Sequence, residues 1–501
     1  MQSHIKPEDL LKQSEQDFIC SLAKQFPSET ALLCGEVQQS PGITHELSSD
    51  FKESELPSGV LLAKGLLNNE KYDRRDFVEL NRGFASAIAL RYVLLGGEEN
   101  YKAFIRGQAA FVALTRAQFD AMNKEYNSRL KTSDLKMAAI YMSAFNDVGK
   151  SVKLLKEASL INKQPVLDHD EANALIVNHP AKRAELLPGL DALDKEVREL
   201  ICHSVGLDFN PSCFTQGEYP LYPVTQIANT LSKVSSDRRE DLFSLIKIEA
   251  AMDVAGVRGH QAPGGAAYIK FVHPAFDLAF DQLAELAKQK SAKDVYLSYL
   301  DKNAQQFGLD EIKDQNEKIA LTRIALMIRS NSSVDGKVVL EAFNHLKQEF
   351  SVMADFLINE LATNNIDTTK SAIWMQYSPD LLRILTKENK SGQSPIEGLM
   401  LGLKIYYHVL KIAREQQVDD MPCYMTQGRE LIPTVRKAAT GDKSAMEMLI
   451  SAAQGDLSVT DGIVNFQQKK IAAPSSSGIF AMSKMIIQSD TTVDLTPKSK
   501  I

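Results

Sequence analysis

The sequence predicts an all-α protein. Apolar residues recur at helical spacing through most of the chain, and strand-like alternation of β-branched residues does not occur at useful length. Glycine and proline concentrate in two internal segments, 206–223 and 256–267, which cannot be helix interiors.

Taken in order, residues 7–24 read as an amphipathic helix with Leu10, Leu11, Phe18, Ile19 and Leu22 on one side. Residues 38–59 are rich in Ser, Pro, Gly and acidic side chains and read as a linker. Helices are expected at 81–95, ended by Gly96-Gly97, then at 98–126 and at 133–145, with Thr132, Ser133 and Asp134 as cap candidates. Further helices follow at 168–177, 181–187, 194–205 and 236–255. After the second glycine-rich segment the pattern resumes at 277–289, 292–307, 312–329 and 338–362. A second helical unit is expected around Trp374 and on through 396–415, 428–439 and 444–454, and the polar tail from 472 has no packing pattern. The expected organisation is therefore an N-terminal helix and linker (1–60), a helical core (61–335), a C-terminal helical region (336–470) and a disordered tail (471–501).

The totals narrow the function. Of 501 residues, 44% are hydrophobic and 24% charged, enough apolar content for a packed core. A net charge of −7 argues against a broad nucleic-acid surface, though a small nucleotide in a local basic pocket is compatible with it. Five scattered cysteines, with no CxxC spacing, read as thiols of a reducing compartment. No apolar run is long enough to span a membrane, and the N-terminus lacks a signal-peptide core, so the expected location is cytoplasmic. P-loop, GxSxG, HExxH and zinc-finger spacings are all missing.

One stretch carries chemistry: Phe145-Asn146-Asp147-Val148-Gly149-Lys150-Ser151, at the end of an apolar helix. A carboxylate there needs a metal, a cation or hydrogen-bond donors. Asp147 is either part of a ligand site or a helix-end carboxylate hydrogen-bonded to a neighbouring backbone group or to Lys150. Histidines follow it at 169, 179, 203, 260 and 273, and none stands between 45 and 169. His169, between two aspartates, reads as solvated surface. His179, before Pro180, is either a ligand or a helix cap, and His203 either a ligand or a core histidine. Arg258 and His260 in the second glycine-rich segment are candidates to line the same cleft.

In order and spacing, Asn146-Asp147-Val148-Gly149-Lys150, His179-Pro180, Cys202-His203 and Asp253 resemble the HD-domain superfamily of metal-dependent phosphohydrolases, most nearly its HD-GYP branch, over residues 75–275. The resemblance implies a multi-helix HD-like core with additional C-terminal helices. It implies a divalent ion (Mn, Fe, Ni, Zn or Mg) on Asp147, His179, His203 and Asp253, and Asn146, Lys150, Arg258 and His260 around a phosphate-containing ligand. Asp147 and Lys150 would carry the chemistry. Two departures stand out: Asn146 replaces the histidine of the His-Asp pair, and the upstream histidine is missing. The remaining set holds a single ion, so hydrolysis is expected to be weak or absent. The other class of reading is an inactive helical scaffold, in one version a secreted bacterial effector that binds a host protein.

Overall fold

A computed structural model describes residues 5–35, 78–166, 168–207, 209–259, 262, 264–366, 371–417, 423–460 and 462–467. The linker expected at 38–59 and the tail from 472 lie outside these residues. The described chain is mostly helical, with one small sheet. Its buried apolar side chains form a continuous core from Leu10 to Val464. No described helix is long and apolar enough to cross a membrane.

Four helices build the site. α1 (Val78–Leu95) is buried almost all round, the pattern of a central helix. α2 (Ser133–Phe145) starts where the Thr132 hydroxyl accepts from the Leu135 N–H at 3.2 Å, and it packs across α1. The crossing depends on Gly83, where a Cβ would stand 2.2 Å from the Ala144 carbonyl oxygen. α3 (His169–Val177) is capped by Asp168, which accepts from the Asp170 and Glu171 N–H groups at 2.9 and 2.8 Å. α4 (Arg239–Gly256) lies against both α1 and α2.

The helix expected over 98–126 is two helices, Gly97–Ile105 and Arg116–Arg129. The second begins with a capping box between Thr115 and Gln118. The loop before it is held by Gln108, which donates to the carbonyls of Gly265 and Tyr268 and accepts from the Leu114 N–H. The N-terminal helix likewise divides into Pro7–Leu11 and Glu15–Gln25.

The larger departure lies in the C-terminal region, which is not purely helical. After α5 (Gln315–Met327) comes β1 (Ala372–Gln376), then α6 (Ser378–Lys387) and α7 (Pro395–Gln416), then β2 (Cys423–Gln427). The two strands pair in parallel, and α6 and α7 supply the crossover that parallel pairing requires. β3 (Leu457–Thr460) and β4 (Ile463–Phe466) form an antiparallel hairpin, and β4 joins β2, giving the order β1-β2-β4-β3. β1 is buried over four of its five residues, so it shows no alternation to read. The hairpin does carry a signal: alternating residues on both sides of Asp461-Gly462.

Candidate functional site

The Asp-x-Gly-Lys stretch becomes a tight 3-10 turn, Asn146–Lys150, at the end of α2. Its glycine is required by the neighbour. A Cβ on Gly149 would lie 2.1 Å from the His169 carbonyl oxygen and 2.8 Å from Asn173 Cγ, so only glycine lets α3 pack on the turn. Asn173 then donates from Nδ2 to the Asn146 carbonyl at 2.7 Å. The turn therefore presents Asp147 and Lys150 inward.

There they meet α1. Lys150 Nζ lies 2.8 Å from Asp147 Oδ1 and 3.0 Å from Glu79 Oε2. Arg82 grips Glu79 through Nη1, at 3.2 and 3.1 Å from its two oxygens. All four side chains are buried or nearly so, at 12% exposure or less. Two carboxylates and two cations neutralise one another where neither could stand alone. Burial by itself would raise the Asp147 carboxyl, but Lys150, Arg82 and His169 outweigh it and hold the group well below the usual carboxylate range. Glu79 moves the other way, raised by burial and by the charge of Asp147.

α4 contributes Glu249 and Asp253, one helical turn apart and facing the same cavity. Asn146 Nδ2 donates to Glu249 Oε1 at 2.7 Å, and the same side chain hydrogen-bonds Asp253. Burial, together with the charge of Asp253, pushes the Glu249 carboxyl up to about 8, and burial with Asp147 raises Asp253. A raised carboxyl favours folding most below its unfolded pKa, and that advantage is lost as pH rises through the folded value. Glu249→Gln, which is neutral at every pH, should therefore gain stability over the parent as pH increases. The gain should grow by about 1.4 kcal/mol per pH unit between the ordinary carboxylate range and about 8. Urea melts of both chains at pH 5 and pH 8 would check this; a constant difference would contradict it.

Arg82, Asn146, Asp147, Lys150, Glu249 and Asp253 line a cavity of about 630 Å³. The carboxyl ends of the parallel strands line it as well. Trp374 and Gln376 on β1 stand opposite Met425 and Gln427 on β2, all lining the cavity. The chain leaves β1 through Tyr377, in the left-handed region at φ 71°, and the Arg429 guanidinium lies 5.9 Å from the Tyr377 ring centre. Tyr219 meets Trp374 edge-on at 5.0 Å. Ligands commonly bind outside the carboxyl ends of parallel strands.

The structure thus brings Asn146, Asp147, Lys150 and Asp253 to one cavity. It does not bring His179 or His203 there. His179 is exposed and caps its own helix, Nδ1 accepting from the Lys182 N–H at 3.4 Å. His203 is half-buried away from the cavity, its pKa lowered by burial and by nearby Lys233. The ion set implied by the resemblance, Asp147, His179, His203 and Asp253, is therefore not assembled. Among the described residues, the group of three such side chains that does converge, within 4.8 Å, is Asp168, His169 and Asp170. Arg258 is exposed and does not line the cavity, and His260 lies outside the described residues. His169, read from sequence as solvated surface, is only 33% exposed, with Nε2 3.7 Å from Asp147 Oδ1. Sequence reasoning also missed Arg82, Glu79 and Glu249. Glu249 could have been found, since it stands four residues before Asp253 on the same helix face.

Residues 69–426 match the profile of a family of unknown function, DUF6829. The chain belongs to the DUF6829 family. No curated protein and no solved structure matches it. The stretch matched to DUF6829 contains every residue that lines the cavity except Gln427 and Arg429.

Proposed function

We propose that this DUF6829 protein binds a phosphate-containing small molecule in the cavity, as a divergent relative of HD-type phosphohydrolases with weak or absent hydrolysis. The observation that carries the reading is the convergence of Arg82, Lys150 and His169 around Asp147 in one concave site. Arg82 supplies a planar fork suited to phosphate oxygens, and Lys150 a compact charge behind it. Burial shifts the Glu249 carboxyl toward its neutral form, which lessens the negative charge facing the ligand. Trp374, Tyr377 and Met425 offer apolar surface to the rest of the ligand. Because His179 and His203 stand elsewhere, no metal-activated water is assigned to the implied ion set.

Trp374 is the only tryptophan in the chain, so its emission reports occupancy of the cavity. Titrating pyrophosphate and nucleotides into the full chain should shift that emission saturably. Hydrolysis of bis-p-nitrophenyl phosphate with added Mn, Mg or Zn should stay at or near the blank. No emission change with any phosphate compound would sink the binding reading, and metal-dependent turnover would overturn the expected inactivity.

A further inference from the structure

We propose that Arg82 and Lys150 take the place of a metal at Asp147, so that the cavity receives the oxyanion of its ligand directly on the Arg82 guanidinium. This rests on the reading of the cavity as a phosphate-ligand site.

Four observations converge on it. First, Asp147 Oδ1 already faces the Lys150 ammonium at 2.8 Å. A divalent ion bound to that oxygen at about 2.0–2.2 Å would be forced against a buried cation. Second, the same ammonium reaches Glu79 at 3.0 Å, and Glu79 is held in turn by Arg82. Asp147 and Glu79 are therefore matched by side-chain cations of the protein itself. Third, Asn146 turns its Nδ2 donor toward Glu249 and so offers the centre an N–H group where an imidazole would offer a lone pair. Fourth, among the described residues, the converging metal-ligand group leaves out Asp147.

Arg82 is also the member of the centre with donor capacity to spare. Its Nη1 serves Glu79, while its buried Nε–H finds no acceptor among the described residues. It lines the cavity beside Asp147 and Lys150. A guanidinium held by a carboxylate and lining the cavity is pre-positioned for an oxyanion. Lys150, tied to both Asp147 and Glu79, holds the arrangement and is a positioning residue.

The test has two arms, both on the full chain after exhaustive dialysis against EDTA. In the first, Mn²⁺ alone is titrated by calorimetry. The expected result is no stoichiometric binding that depends on Asp147; one ion per chain, lost in Asp147→Asn, overturns the proposal. In the second, pyrophosphate is titrated with Trp374 emission as the readout. Affinity should stay within about twofold with or without Mg²⁺, and it should fall roughly tenfold or more in Arg82→Gln, the loss of one charge-assisted contact. Arg82→Lys should recover part of the binding, and thermal melts of both variants confirm folding. Binding that requires Mg²⁺ overturns the proposal while leaving the phosphate reading intact. If pyrophosphate and the nucleotides fail to bind at all, the phosphate reading fails, and with it the role of Arg82; the Mn²⁺ arm then decides separately whether the centre takes a metal.

Discussion

Asp147→Ala should cost about 3–5 kcal/mol of folding stability, because it leaves the Lys150 ammonium and the Arg82 guanidinium buried with Glu79 as their shared partner. Removing one member of a buried ionic group is expensive because the others keep their desolvation cost and lose their compensation. The pH dependence follows from the direction of the Asp147 shift. A carboxyl held below its ordinary range contributes its full stability above the unfolded pKa of about 4 and loses it as pH falls toward the folded value. The gap between parent and variant should therefore be constant at neutral pH and narrow in acid. Guanidinium melts at pH 7 and pH 3 measure it. A difference below about 1 kcal/mol at pH 7 would mean that the buried network stabilises no more than a surface pair does.

A comparable loss is expected from Arg323→Leu, on the order of 4 kcal/mol. Arg323, on α5, is fully buried, and no carboxylate pairs with it in the structure's described ion pairs. Its guanidinium donates to three backbone carbonyls: Gly217 at 2.9 Å, Glu218 at 2.7 Å and Leu361 at 2.9 Å. Leucine fills much of the volume but leaves those carbonyls without donors, each costing about 1–3 kcal/mol. The effect should also reach the cavity. The 217–218 backbone held by Arg323 leads directly into Tyr219, whose ring packs against Trp374. The variant should show a lower urea midpoint together with a red-shifted Trp374 emission in the folded baseline. A lowered midpoint with unchanged emission would separate the stability role from the shaping of the cavity.

Much of the helical architecture could be read directly. The helix at 133–145 has the expected limits, and those at 168–177 and 194–205 differ only in that Asp168, Asp194 and Val205 act as caps. These helices carry their own start signals and long periodic faces, so local chemistry defines them. The sheet was missed because its strands are only four or five residues long, and β1 is buried on both sides. The break in the expected helix at 98–126 depends on Gln108 reaching Gly265 and Tyr268, a contact between residues more than 150 positions apart.

The candidate site divides along the same line. By itself, the sequence determined that the helix ending at Phe145 is followed by a turn carrying Asp147 and Lys150, since the apolar run, the Thr132 cap and the Asp-x-Gly-Lys order are all local. It also placed Asp253 on a helix long enough to reach them. Only the tertiary structure decided who meets Asp147. His179 and His203 have the right order in the chain, but their helices turn them to solvent and to Lys233. Arg82, Glu79 and His169 have no motif, yet the Gly83 crossing and the Gly149 contact bring α1 and α3 within ion-pair distance of the turn. A carboxylate announces in sequence that it needs a partner. Which partner it finds depends on the packing of helices far apart in the chain, because burial and charge act through space.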